Sequence, residues 1–242
     1  MEETIEILSV PVRNVSMDEA TDFVFSRIAE GRATTVATAN AEMIMRAKED
    51  HELARILAEA DLVVPDGAGV LWAAEQQGKH FKERVAGVDL ACRIMARCVE
   101  RQTKVYFFGG APGIAEKAAR NMKESVGEFP VVGIRSGFFT SEEEPEIIED
   151  IRNSGASVLF VALGVPKQEK WIHRHLYELG PCVCMGVGGT FDVLAGHVCR
   201  APKWMQEHRL EWLYRLYKEP SRAMRMLALP KFVVAVKFGS RV

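Results

Sequence analysis

The stretch Asp61-Leu-Val-Val-Pro-Asp-Gly-Ala-Gly-Val70 decides the reading of the chain, taken together with Arg84-Val-Ala-Gly-Val-Asp-Leu90. A short apolar run ends at Pro65, and Asp66 and Gly67 then open a helix. A carboxylate therefore stands at the carboxyl end of a strand, where open α/β sheets bind their ligands. Taken alone, Asp66 reads as an N-cap whose oxygen accepts a backbone N–H of the next turn. Its surroundings argue for more: Thr38 and Asn40 end another strand, and Arg84 sits beside a small-residue turn. One carboxylate facing a basic, hydroxyl-lined cleft suits general-base chemistry.

Outward from this stretch the pattern alternates. Ser16-Met-Asp-Glu19 is a capping box that opens a helix ending at Gly31. Thr34–Ala39 is β-branched and short, a strand, and Asn40 caps a helix that continues to Ala60. Leu62–Pro65 is the next strand. Helices over 69–77, 88–101 and 114–125 bracket the strand 104–110. A strand ending at Gly137, a helix over 142–153 opened by Ser141-x-x-Glu144, the apolar strand Ser157–Gly164, a helix over 166–179 and the strand Cys182–Gly189 complete the series. Six strands separated by helices predict an α/β, Rossmann-like fold with a mostly parallel six-stranded sheet and right-handed crossovers.

Two strand-glycine-helix turns can present helix-end N–H groups to phosphate. One carries Gly109 and Gly110, the other Gly188 and Gly189, and together they would share a diphosphate. Neither matches the dinucleotide or P-loop spacing, and such glycines often serve close packing alone. Asp192, early in the last helix, is either a second functional acid or a dipole-stabilising residue. Lys167 and Gln168 begin a helix at a strand's carboxyl end. Lysine suits a phosphate, and the glutamine amide offers a donor and an acceptor to a base or sugar; an ordinary solvated first turn is an equal reading.

With 242 residues, 48% hydrophobic, the chain can bury a full core. Its net charge of −2 conceals an asymmetry: from Arg200 onward ten Lys or Arg face three Glu, a net of +7 beside −9 for residues 1–199. We divide the chain there, into a catalytic body over 1–199 and a basic appendage over 200–242. The appendage carries Leu210, Leu213, Tyr214 and Tyr217 at helical spacing beside arginines, the composition of an interfacial helix or of a terminal helix packed on the body. Arg215, Arg222 and Arg225 could reach the crevice and neutralise phosphates, with Pro220 turning the chain between them. The acidic body argues against nucleic acid. Five cysteines without zinc-type spacing fit reduced thiols and no metal site. The N-terminus lacks a secretory pattern, and no apolar run is long enough to span a bilayer.

The segments TANAEM, PDGAGV, RVAGVDL, FFGGAPG, SGFF, VALGVPKQEKWI, GVGGTFDVLAG, RAPKWM and LEWLYRLYKEPSR, in this order, resemble the WecG/TagA/CpsF family of bacterial glycosyltransferases. One departure is Ala41, where the family commonly has proline. The resemblance implies a metal-independent, cofactor-free transferase that moves a sugar from a UDP donor to a lipid-diphosphate-linked N-acetylglucosamine (GlcNAc) at the cytoplasmic face of the plasma membrane. It makes Asp66 the base, lines the site with Thr38, Arg84 and Gln168, and has Arg215, Arg222 and Arg225 complete it when the appendage docks on the body and the membrane. The implied donor is UDP-N-acetylmannosamine (UDP-ManNAc), with UDP-ManNAc uronate and UDP-glucose as alternatives in other surface-polysaccharide pathways. A homo-oligomer is compatible with this reading. A non-catalytic UDP-binding scaffold at the membrane is the reading of another class.

Overall fold

The computed structural model describes residues 3–202, 204, 205, 208, 210–218 and 227–239. It opens with a feature the sequence pattern did not announce. Thr4–Ile7 (β1) and Val10–Arg13 (β2) form an antiparallel hairpin, with Leu8 and Ser9 at positive φ in its turn. Alternation puts Ile5, Ile7, Val10 and Val12 on one buried face.

The central sheet has six strands, all parallel: Thr34–Ala39 (β3), Leu62–Pro65 (β4), Val105–Gly109 (β5), Val131–Arg135 (β6), Val158–Ala162 (β7) and Val183–Gly186 (β8). Their order across the sheet is β4-β3-β8-β7-β5-β6, which confirms the expected Rossmann-like α/β class. Strands β4, β5, β7 and β8 are buried along their whole length because helices cover both faces.

The period of two assigns each strand residue to a face. Val36, Leu62, Val64, Phe107, Phe160 and Met185 pack under Met17–Ala29 (α1), Gly87–Arg101 (α5), Ile114–Val126 (α6) and Thr190–Leu194 (α9). Tyr106, Phe108, Leu159, Val161 and Cys184 face the opposite way, towards Glu144–Ser154 (α7) and Lys167–His175 (α8). Ala37, Ala39 and Val63 continue that second face under Ala41–Glu49 (α2), His51–Glu59 (α3), Ala68–Gln76 (α4) and the β1–β2 hairpin.

Local chemistry sets most helix ends. Ser16 and Glu19 form the expected reciprocal cap: the Glu19 N–H donates to Ser16 Oγ at 3.2 Å, and the Ser16 N–H to Glu19 Oε2 at 2.8 Å. Two expectations change. The single helix expected from Asn40 to Ala60 is two helices, because Asp50 is extended (φ −116, ψ 95) and its carboxylate caps Leu53 N–H at 3.1 Å. The box at Ser141 does not form. Glu143 turns its carboxylate back to the Thr140 N–H at 2.7 Å, and α7 starts at Glu144 with a proline in its first turn.

The appendage is tied to the body. Glu211–Lys218 (α10) leaves Leu213 and Tyr217 largely exposed, whereas Ala228–Phe238 (α11) packs on α2 and α4. Phe232, 1% exposed, belongs to the same buried cluster as Ala41, Ile44, Val70 and Ala73. Ala228–Phe238 is thus partly core. Phe232→Ala is expected to cost ~3 to 5 kcal/mol, the usual range for emptying a buried phenylalanine site. The denaturant midpoint should fall accordingly; an unchanged midpoint would show that α11 contributes no core.

Candidate active site

The crossovers create the site. From β5 the chain moves outward to β6 through α6 on one face, and from β7 it moves inward to β8 through α8 on the other. The loops after β5 and β7 therefore part, opening a crevice at the carboxyl edge of the sheet. The loops after β3, β4 and β8 end on the same edge, so Thr38, Asn40, Asp66, Lys167, Gly109 and Gly188 all arrive there.

Asp66 stands one residue before the N-cap of α4. That N-cap is Gly67, which has no side chain to offer. The Asp66 N–H donates to the Ala39 carbonyl at 2.9 Å, which docks the β4 loop on the end of β3. Gly67 lies so close to Asn40 that a Cβ there would meet Asn40 Cβ at 3.0 Å. Arg84 reaches the same loop: its Nε donates to the Asp66 carbonyl at 2.6 Å, and its Nη2 lies 3.9 Å from Asp66 Oδ1. Thr38 is buried beside them, its Oγ1 3.0 Å from where a Cβ on Gly87 would stand, so a side chain there would crowd the start of α5 against β3. Asn40 spends its side-chain oxygen on capping α2, accepting from Met43 N–H at 3.0 Å.

Gln168 is held within the chain. It is 2% exposed, and both ends of its amide are engaged within the chain. Its oxygen accepts from Gly164 N–H at 3.1 Å and Gly188 N–H at 2.9 Å, and its nitrogen donates to Glu169 Oε1 at 2.7 Å. It ties the loops after β7 and β8 together beneath the crevice. A Cβ on Gly186 would stand 2.6 Å from that amide nitrogen, so this close approach needs glycine.

The glycine turns also serve structure first. Gly110 N–H donates to the Ala162 carbonyl at 2.9 Å, and Gly188 N–H is taken by Gln168, so neither points at a ligand. Gly109, at φ +119, has the Ala162 carbonyl oxygen 2.4 Å from where a Cβ would be. The first turn of α6 also opens at this edge, with no side chain capping it. Gly189 and Lys167 are exposed at the crevice, and Asp192 is half-buried in the first turn of α9.

Three further residues near this edge lie within the quoted motifs without having been singled out as site residues. Phe138, 76% exposed, projects from the loop after β6, whose Gly137 N–H bonds the Gly110 carbonyl at 2.9 Å. Glu211, on α10, holds Arg84 Nη2 at 2.7 Å across 127 positions of sequence, and Arg200 beside it pairs with Asp89 through both guanidinium nitrogens. Glu169 is the third. It is almost fully buried, and its Oε2 has no hydrogen-bond partner. Of the tail arginines, Arg215 lies in α10, where its side chain is outside the described residues, as are Arg222, Arg225 and the Pro220 turn.

Burial pushes the Glu169 carboxyl up to about 7, against the smaller opposing pulls of the Gln168 amide and the backbone N–H. Between pH 4.5 and 7 the folded chain then holds a proton that the unfolded chain has released, so stability falls as pH rises through that window. The shift corresponds to about 3 kcal/mol, fully lost above pH 7. Glu169→Gln stays uncharged and should match the parent near pH 5 but exceed it at pH 8 by about that amount, read from urea midpoints at the two values. An equal pH dependence in both proteins would place the proton elsewhere.

Residues 5–241 match the profile of the glycosyl transferase WecG/TagA/CpsF family. The chain is 33% identical over 207 residues, 86% of its length and 80% of the relative's, to a protein of Bacillus spizizenii (strain ATCC 23059 / NRRL B-14472 / W23) named N-acetylglucosaminyldiphosphoundecaprenol N-acetyl-beta-D-mannosaminyltransferase. It is 27% identical over 235 residues, 97% of its length and 91% of the relative's, to a protein of the same name from Bacillus subtilis (strain 168). A parallel α/β sheet matched over residues 5–241 by that profile, with a relative 33% identical over most of its length, places this chain in the WecG/TagA/CpsF family of glycosyl transferases.

Proposed function

We propose that this chain transfers N-acetylmannosamine from UDP-ManNAc to the 4-hydroxyl of GlcNAc-diphospho-undecaprenol and releases UDP, the linkage-unit step of wall teichoic acid synthesis. The observation that carries the proposal is Asp66: a carboxylate at the carboxyl edge of the sheet, with Arg84 anchored to its own carbonyl and Arg84 Nη2 3.9 Å from its Oδ1. The names of the two Bacillus relatives supply the substrate class.

In this reading the reaction is a single displacement with inversion. Asp66 takes the proton of the acceptor hydroxyl as that oxygen attacks the anomeric carbon, and the bond to UDP breaks with its electrons passing to the diphosphate. The charge that develops there is met by Arg84, the tail arginines Arg215, Arg222 and Arg225, and the N-terminus of α6. Because arginine supplies this charge, the proposed mechanism is independent of metal and of any cofactor. Phe138 offers an exposed ring on which a uracil could stack.

The acceptor's lipid gives the appendage its task. Among the described residues no helix is long and apolar enough to cross a membrane. Instead α11 exposes Leu227, Val234 and Phe238 beside Lys231 and Lys237, while its Phe232 approaches Gly69 of the Asp66 loop's helix. An apolar and basic surface next to the site suits peripheral attachment to an anionic cytoplasmic leaflet.

The test is UDP release from a panel of UDP-ManNAc, its uronate, UDP-glucose and UDP-GlcNAc, with and without a GlcNAc-diphospho-lipid. Acceptor-dependent release from UDP-ManNAc is expected. Release from another donor alone would reassign the sugar, and tight UDP binding with no release from any donor would replace the transferase by a binding protein.

A further inference from the structure

The Gln168 amide sits at the crossing of two loops, and both of its ends are answered. Gly164, at φ +76 after β7, and Gly188, at φ +51 after β8, turn their N–H groups to one oxygen, Gln168 Oε1, at 3.1 Å and 2.9 Å. The amide nitrogen on the other side donates to Glu169 Oε1 at 2.7 Å. A carboxylate, or a carboxyl protonated on Oε2, presents Oε1 only as an acceptor, so the NH2 end faces it and the oxygen faces the two glycines. Gly186 closes the arrangement from β8: a Cβ there would stand 2.6 Å from Gln168 Nε2 and 3.0 Å from Glu169 Oε1. Both side chains are buried, so an NH2 group that lost Glu169 would be a buried donor without a partner, and the amide would shift to find one.

The loop held in this way runs on into the crevice wall. Val187 N–H donates to the Val161 carbonyl at 2.9 Å and Thr190 Oγ1 to the Val187 carbonyl at 2.7 Å, so the turn passes from the sheet to α9 without slack. Helix α9 then lies along α6: Phe191 packs on Phe107 with ring centroids 5.2 Å apart, and Asn121 Nδ2 donates to the Leu194 carbonyl at 2.8 Å. Gly189, Asp192 and the first turn of α6 thereby share one wall of the crevice, the wall that meets the leaving diphosphate in the proposed reaction. Because close-packed elements transmit a displacement, a shift at Gly188 is felt along that wall.

We propose that Glu169 is a positioning residue for donor binding: by holding the Gln168 amide nitrogen it keeps the Gly164 and Gly188 N–H groups on one oxygen, and so sets the wall that receives UDP. The proposal rests on the reading of this crevice as the UDP-donor site. Glu169 lies buried beneath the crevice and acts through Gln168 rather than on the substrate. Its signature is a loss of donor affinity rather than of the chemical step, because Asp66 and Arg84 are held by the ends of β3 and β4 instead.

The experiment uses the full-length chain and its Glu169→Met and Glu169→Gln variants at about pH 6, below the titration of the parent carboxyl at about 7, so that charge at this position is not a variable. Amide hydrogen exchange at Gly164 and Gly188 is followed by NMR, UDP binding by calorimetry, and donor KM and kcat by UDP release. Glu169→Met keeps the length of the side chain and loses the acceptor. It is expected to speed exchange at both glycines about tenfold with β3 and β5 unchanged, and to weaken UDP binding about tenfold, with donor KM rising alike and kcat within about threefold. Glu169→Gln keeps an acceptor oxygen and should restore exchange and affinity to within about twofold of the parent. Should Glu169→Met fail to fold, Gly186→Ala pushes on the same pair from β8 and should give the same two losses. Unchanged exchange at the two glycines would overturn the brace, as would faster exchange throughout the chain or a Glu169→Gln variant as impaired as Glu169→Met. Faster exchange with unchanged UDP affinity would overturn the link to the donor. A parent chain that binds no UDP would refute the donor reading of the crevice, while exchange at Gly164 and Gly188 would still decide the brace.

Discussion

Asp66→Asn is expected to slow turnover by ~10²- to 10⁴-fold, the usual contribution of a positioned general base. The substitution is nearly isosteric, and the contacts that set this loop are made by backbone atoms. The Asp66 N–H donates to the Ala39 carbonyl, and the Asp66 carbonyl accepts from Arg84 Nε. Both survive in the amide, so the unfolding midpoint and donor KM should stay near those of the parent while kcat falls. A fall confined to kcat marks an interaction made only in the transition state. A variant within about threefold of the parent rate would remove Asp66 from the base's role and direct attention to Asp192, another acid at this edge.

The second large effect concerns the appendage. Replacing Arg215, Arg222 and Arg225 together by alanine is expected to lower kcat/KM by roughly 10³-fold or more. Each charge-assisted hydrogen bond to a phosphate oxygen contributes about 1.5 to 3 kcal/mol, and three are lost at once. The triple variant is a sharper probe than deleting 200–242. Deletion would also remove Phe232 from the cluster under α2 and α4, and Glu211 from Arg84, mixing a packing loss with a catalytic one. The triple variant should keep its thermal midpoint, and an active one would confine the appendage to anchoring. The two results are separable, because the aspartate variant should still bind UDP while the arginine variant should bind it weakly.

Much of the fold was legible because strand and helix periods differ so clearly here. β-branched Thr34–Ala39 and apolar Val158–Ala162 could only be buried strands, and the helices between them demanded parallel pairing. Errors fell where one side chain chose between two backbone partners. Asp50 capped a new helix instead of riding in a long one, and Glu143 rather than Ser141 answered the N–H groups ahead of α7. The β1–β2 hairpin escaped because its turn, at Leu8 and Ser9, lacks the glycine or asparagine that usually marks such positive φ values.

The sequence by itself determined the class of the sheet, the placing of Asp66 at a strand's carboxyl end, and the family. These depend on local period and on short motifs, which a chain carries wherever it folds. Only the tertiary structure decided what each candidate does. Gln168 and the Gly188 N–H satisfy one another, so two expected ligand contacts became a brace between loops 20 positions apart. Glu211 became part of the site through an arginine 127 positions away. A polar group removed from water takes whichever partner the packing brings within about 3 Å, and sequence spacing holds no record of that choice.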